Sequence, residues 1–236
     1  RGEGRRPNLF LIDLQPDQIG PVKDLLRART GREPLASPMV RARLAAVAGR
    51  PVEDEGPRDE PGQGMRTREQ NLTWRERPSE SEQVVAGRFW DDPGGDRPEI
   101  SLEEGFARSI GAKLGDELRF DVQGRELSGR VTSLRKVLWQ SFQPNFFIVL
   151  HPSLLQGAPA VWIAAAELES PSARAALQSE LARRWPNIGV VDVGEVVLRI
   201  GLVLDLVALV TRALAGLMLV SALLVLGASL LASRLG

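Results

Sequence analysis

From residue 213 to residue 233 the chain reads ALAGLMLVSALLVLGASLLAS, with no charged side chain between Arg212 and Arg234. At 1.5 Å rise per residue, about 20 apolar residues cross a hydrocarbon core of roughly 30 Å, so the stretch predicts a transmembrane helix. The alternative is a helix buried in a protein core, which seldom runs this far without one solvated position. Its place after a long, mostly polar chain excludes a signal peptide.

The approach to this segment is amphipathic. Over residues 194–212, Val196, Val197, Ile200, Val203, Leu204 and Val207 are apolar. Glu195, Arg199, Asp205 and Arg212 fall within an arc of roughly 140° at about 100° per residue. This predicts a stalk helix over 194–212, standing above the membrane or lying on it, with Arg199, Asp205 and Arg212 on its polar face. Without a Pro or Gly cluster between them, 194–212 and 213–233 form one rod able to couple an outer domain to the membrane.

Composition removes several function classes. Lys plus Arg total 30 and Asp plus Glu total 30, interspersed, so no basic footprint for nucleic acid exists. There is no Cys, which excludes disulfides, thiolate nucleophiles and zinc-thiolate sites. His151 is the one histidine, and any imidazole-dependent triad must use it. It stands before Pro152 at the end of an apolar run, which reads as a strand exit. No Gly-x-Ser-x-Gly is present, so a membrane-anchored hydrolase is disfavoured. Glu103 and Glu104 diverge by about 100° on a helix, and helix capping explains them better than acid–base work. No catalytic, cofactor or metal residues are expected.

In chain order, NLFLIDL (8–14) predicts a strand, and Gln18–Thr30 a helix with Ile19, Val22, Leu25 and Leu26 on one face and Gly31 ending it. Met39–Val47 predicts a strand with Val40, Ala42 and Leu44 opposite Arg41 and Arg43. Residues 49–66 lose periodicity and predict a mobile acidic loop. Asn71-Leu72-Thr73 matches a glycosylation sequon, a pattern too short to weigh. Gln83–Trp90 predicts a strand and turn, Ile100-Ser101 a short strand, and Leu102–Ile110 a helix capped by Ser101. Glu117–Val122, Glu126–Leu134 and Asn145–Leu150 predict strands, the first two joined by a Gln123-Gly124 turn. Trp139, Phe142, Phe146 and Phe147 gather around Pro144, as packing at a change of direction or as an exposed interaction surface. Ala160–Leu168 predicts a strand, and Pro171–Trp185 a helix buried through Ala175, Ala176, Leu177 and Leu181. Val190–Val193 predicts the last strand.

Two β-α-β units thus bracket a strand-rich middle. The predicted class is α+β: a discontinuous α/β subdomain from 1–48 and 158–193, with a β-rich subdomain inserted at 67–150. The chain starts at Arg1 without Met and stops just after the apolar run, so it reads as a piece of something longer.

Several stretches carry a family resemblance: PNLFLIDLQPDQ from Pro7, PMVRARLAAVAGRPV from Pro38, NLTW from Asn71, VVAGRFW from Val84, VTSLRKVLWQSFQPNFFIVL from Val131 and WPNIGVVDVGEVV from Trp185. With Ala107 and Leu114-Gly115-Asp116, followed by a hairpin and an apolar helix, the chain resembles the FtsX and MacB superfamily of ABC transporter permeases. It is most similar to the YbbP-type branch. The resemblance implies a MacB-like periplasmic domain between the first and second membrane helices of a multi-pass inner-membrane protein, with residues 1–212 periplasmic. Leu114, Gly115, Asp116, Trp139, Pro144, Asn145, Phe146 and Phe147 would be structural motif residues. It further implies a non-catalytic subunit, with ATP and Mg on a separate YbbA-type ATPase, and as partners the lipid bilayer and a second permease half or periplasmic protein. Hydrophobic or lipid-like cargo is implied; an anchored adaptor without transport is the alternative.

Overall fold

The computed structural model describes residues 7–52, 63–91, 98–155, 157–193, 207–212, 214–216 and 218. They fall into two compact units, Arg1–Val191 and Asp192–Gly236.

The first unit is mixed α/β and dominated by sheet. Strand β1 (Leu9–Leu14), helix α1 (Ile19–Thr30) and strand β2 (Leu35–Val47) begin it. Much later in the chain come β10 (Val161–Ala166), α4 (Pro171–Arg184) and β11 (Gly189–Asp192). β10 lies between β1 and β2, antiparallel to both, and β11 flanks β1. Alternation in β1 buries Leu9, Leu11 and Leu14, while the i, i+4 spacing in α1 buries Val22 and Leu26. Gly31 ends α1 in the left-handed region at φ 66°, its N–H donating to the Arg27 carbonyl. Ser170 caps α4 by accepting the Ala173 N–H at 3.1 Å, with Pro171 in the first turn. Leu177 and Leu181 complete this core; Ala175 and Ala176, expected on the buried face, are exposed, and Arg174 is buried instead.

β2 is 13 residues long and passes from this core into another. Leu35–Met39 pair with β10, Val40–Arg43 with β4 (Glu69–Trp74), and Arg43–Val47 with β7 (Glu117–Val122). β4 then pairs with β9 (Ile148–Leu150), β9 with β6 (Glu99–Glu103), β6 with β8 (Arg125–Val137), and β8 with β7. The pairings therefore close into a ring of β2, β4, β9, β6, β8 and β7. Leu44, Leu72, Ile100, Leu118, Phe120 and Ile148 share one core there with Phe106 and Ile110 of helix α3 (Glu104–Ile110). Closing a sheet removes its edges. Strand β5 (Glu82–Gly87) is added to the ring through β8, leaving β5 and β11 as the two ends of the strand order.

Several expectations change. Helix α3 starts at Glu104, not Leu102, because Ser101 and Leu102 are held in ladders with β8 and β9; Glu103 is its cap, accepting the Phe106 N–H at 2.6 Å. The 49–66 stretch has structured ends, β3 (Arg50–Pro51) on β2 and the short helix α2 (Gln63–Arg66), and residues 53–62 lie outside the described residues. The residue 48 boundary falls after a strand whose second half already lines the ring.

In the second unit Val207–Arg212 are helical, with Arg212 exposed and the Thr211 hydroxyl donating to the Val207 carbonyl at 2.8 Å. Residues 214–216 and 218 are helical too. Among the described residues no helix is long and apolar enough to cross a membrane. Most of the predicted stalk and spanning segment, Arg199 and Asp205 included, lies outside the described residues.

Candidate interaction surface and its buried mount

The register of β8 against β6 shifts at Thr132: Ile100 pairs with Val131, and Ser101 with Ser133. A bulge of this kind exchanges the faces of all residues beyond it. Val131 and Leu134 accordingly both pack in the ring core, while Ser133 and Arg135 join Ser101 on the outer face. The chain from Arg75 to Trp90 covers that face, with Phe89, Trp90 and Val84 packed on Val149.

Arg135 is fully buried. Its Nε donates to Ser101 Oγ at 2.9 Å, which also accepts from Ser133 Oγ at 2.6 Å. Nη1 pairs with Glu82 Oε1 at 2.5 Å, and Nη2 donates to the carbonyls of Ser101, Phe146 and Phe147 at 3.3 Å. Glu82, its side chain 0% exposed, also accepts the Ser79 N–H at 3.0 Å and lies 3.4 Å from Arg75 Nη1. Burial pushes the Arg135 guanidinium down to about 10, Glu82 opposing this and Arg75 adding to it. Burial lowers Arg75 too, again against Glu82. The Arg75 guanidinium carbon sits 5.9 Å from the Phe146 ring centre.

This ionic group fixes a loop. Arg135 holds the carbonyls of Phe146 and Phe147 at one end. At the other, the Leu138 N–H donates to the Ser81 carbonyl at 2.8 Å. Asn145 ties the two ends together, Nδ2 donating to the Leu138 carbonyl at 3.2 Å and Oδ1 accepting from Ser81 Oγ at 2.7 Å. Trp139 leans on Phe147 with ring centres 4.8 Å apart, and Phe147 stacks on Phe106 at 5.3 Å. Three apolar side chains stand outward on this loop, with Gln140 among them: Leu138 is 58% exposed, Trp139 44% and Phe142 40%. Phe142 is in the left-handed region at φ 52°.

Of the motif residues, Trp139, Pro144, Asn145, Phe146 and Phe147 are thus brought together in this loop. Leu114, Gly115 and Asp116 form a separate turn between α3 and β7. Gly115 has φ 88°, its N–H donates to the Val131 carbonyl at 2.8 Å, and Asp116 Oδ2 accepts the Lys113 N–H at 2.8 Å. Leu114 is 42% exposed. Sequence reasoning missed Arg75, Glu82 and Arg135, and read Ser101 as a helix cap where it in fact accepts from Ser133 and Arg135. The available signal was alternation in VTSLRKV, which puts Ser133 and Arg135 on one face, but it does not reveal the bulge that decides which face.

His151 is buried against Trp90, its ring centre 5.5 Å away, and its Nδ1 lies 2.8 Å from Ser153 Oγ. Ser153 borders a cleft of about 270 Å³ between the β7–β8 hairpin and residues 153–159. The same Nδ1 accepts the Ser153 N–H at 3.3 Å, so the pair closes the turn at the 3-10 segment Pro152–Leu155. Local capping accounts for this contact, as it does for Glu103. Among the described residues no three metal-ligating side chains gather.

Over 190 residues, 80% of this chain, the sequence is 35% identical to the uncharacterized ABC transporter permease YbbP of Escherichia coli (strain K12); it spans 22% of that protein's length. A domain of a candidate permease protein from Porphyromonas gingivalis aligns at a TM-score of 0.35 and 11% identity, covering 78% of this chain and 88% of that one. That structural likeness is too slight to argue from. No protein-family profile matches the chain.

Proposed function

By its sequence the chain belongs with the YbbP-type ABC transporter permeases, and from that premise we propose that it is the periplasmic domain and following membrane helix of such a permease. ABC permeases work with an ABC ATPase, and the partner proposed here is a separate YbbA-type chain on the cytoplasmic face. The domain does no chemistry itself; it passes the motion driven by ATP to transport or extraction of a hydrophobic or lipid-like cargo. The 35% identity across four-fifths of the chain carries this reading.

Two features support it. A continuous apolar segment follows an amphipathic one at 194–233, as a rod through the membrane surface requires. A cluster of exposed apolar side chains stands on a buried ionic mount, and such a mount would carry force to Leu138, Trp139 and Phe142 without letting them rearrange. ATP drives the domain only insofar as its binding differs between two states of the whole assembly.

The test is the full-length permease reconstituted in vesicles with its ATPase. Val203→Pro breaks the rod by removing a helical hydrogen bond at a cost of about 3 kcal/mol. ATP hydrolysis should persist while transport of a fluorescent lipid falls at least severalfold, with unchanged membrane insertion. Full coupling in Val203→Pro would sink the rod, and failure of the permease to copurify with any ATPase would favour an anchored adaptor.

A further inference from the structure

The cleft of about 270 Å³ between the β7–β8 hairpin and residues 153–159 opens at the mouth of the ring, where closed sheets commonly hold ligands. Among the described strands, β8 pairs with β7 alone from Arg125 to Gly129, and β6 joins it only at Arg130. The cleft runs along this one-sided stretch, with Leu154, Leu155, Ala158 and Pro159 as the facing wall.

The hairpin decides what β8 shows to the cleft. Its two-residue turn makes Val122 and Arg125 a hydrogen-bonded pair, so the N–H and C=O groups of Arg125, Leu127 and Gly129 go to β7. Those of Glu126, Ser128 and Arg130 point the other way. Arg130 bears this out, its N–H donating to the Pro98 carbonyl at 2.6 Å. At Glu126 and Ser128 no described residue takes that place. The facing wall spends its Leu154 and Ala158 N–H groups on the carbonyls of His151 and Leu155. Side chains alternate as well. Leu127 and Val131 pack in the ring core, and Arg125, two residues before Leu127, is on their face of the strand. It stands exposed where that core ends, and its guanidinium is in no ion pair or hydrogen bond among the described residues.

We infer that this cleft binds the C-terminal end of a peptide, added antiparallel to β8 with its terminal carboxylate on Arg125. The peptide main chain meets the free N–H and C=O groups of Glu126 and Ser128, and alternate side chains turn to Leu155 and Ala158. Only the antiparallel sense brings a C-terminus to the Arg125 end of β8. From Arg125 to Ser128 the strand runs about 10 Å at about 3.3 Å per residue, which admits about three residues. That shortness, with the charges of Arg125 and Glu126, keeps a long strand of another sheet away. An alkyl chain suits the apolar wall but buries the polar groups of Glu126 and Ser128 unsatisfied, a cost that a peptide does not incur. The inference rests on the cleft alone and not on the transport reading.

The probe is a dansyl-labelled Thr-Val-Thr-Val peptide with a free C-terminal carboxylate, titrated into the full chain in detergent and followed by fluorescence anisotropy. Saturable binding should appear with a Kd below about 1 mM. Amidating the peptide, or the exposed change Arg125→Gln, should each weaken it by about tenfold, and the Arg125→Gln chain should bind acid and amide alike. Hydrogen exchange should slow at least about fivefold at the Glu126 and Ser128 amides on binding, and stay unchanged at Leu127, which is already bonded to β7. No saturation by about 1 mM overturns the inference, as does equal binding of acid and amide by the unsubstituted chain. Decanoate that displaces the peptide while the Glu126 and Ser128 amides exchange as before would give the cleft to an alkyl chain instead. Measuring without an ATPase keeps this result separate from any failure of the transport reading.

Discussion

The layer built by β1, β10, α1 and α4 and the outer face of the ring solve the same problem differently. In the layer the core is Leu9, Leu11, Leu14, Val22, Leu26, Leu177 and Leu181, and the ion pairs Arg27–Glu33 and Arg32–Glu167 sit at the surface. Exposed pairs contribute about 0–1 kcal/mol, so burial of apolar area holds this region together. On the ring, Arg135 and Glu82 are both at 0% side-chain exposure. A buried pair gains little net stability after desolvation, yet loses much when one partner is removed. The layer is held by contacts that have no direction, whereas the ring face uses directional ones, and those end on the carbonyls of the loop that displays Trp139 and Phe142.

The strongest way to break this contrast is to unpair the ion. Arg135→Met leaves Glu82 buried with only its longer 3.4 Å ionic contact to Arg75, and unfolding in urea should show a loss of about 3 kcal/mol. Leu11→Ala in the layer should cost a comparable 2–5 kcal/mol through its cavity, about 2–5 being usual for Leu truncation. The two part company in rescue. Adding Glu82→Leu and Arg75→Met to Arg135→Met should restore more than half of the loss, because an apolar set leaves no stranded charge. A triple variant no more stable than Arg135→Met alone would show that the ionic group is not what holds the face.

A smaller effect separates the two sheet ends. Gly87 has φ 70°, and a Cβ there would lie 2.2 Å from the Thr132 carbonyl oxygen, a backbone atom that cannot move without breaking the Arg88 N–H bond it accepts. Gly87→Ala should cost about 2 kcal/mol or more. At Gly189 the obstacle is the Ile12 side chain, 2.7 Å from a built Cβ but partly in solvent. Gly189→Ala should stay below about 1 kcal/mol. Equal melting shifts for the two would mean that the bulged end of the ring is no stiffer than the β11 end.

Much of this was legible in the chain itself, for identifiable reasons. NLFLIDL and the Val22–Leu26 spacing announce β1 and α1, and Gln123-Gly124 announces the hairpin because a two-residue turn needs positive φ at both positions, found at 52° and 86°. β4 was not legible: EQNLTW is polar at three of its first positions and becomes a strand by pairing with β2 on one side and β9 on the other. The ring closure is likewise a property of partners distant in sequence. In the candidate surface, the aromatic cluster around Pro144 stood out, but which members face outward depends on Arg135. That in turn depends on a one-residue bulge at Thr132 that VTSLRKV does not advertise.

The finest distinction concerns Phe142. A non-glycine residue in the left-handed region carries backbone strain of about 1–2 kcal/mol, and a phenylalanine exposed to 40% recovers little of it by packing. If the loop were only a connection, a residue free of that strain would serve it better. Phe142→Gly should therefore leave the fold unharmed or raise its stability by a few tenths of a kcal/mol, with the gain limited by the greater freedom of glycine in the unfolded chain. On the proposed transport function, its cost should appear elsewhere, as weaker transport by an otherwise intact full-length permease. Melting temperature and transport measured on one preparation separate the possibilities. A variant more stable and fully active would show the strain to be incidental, whereas one that melts earlier would place Phe142 among the residues that hold the loop.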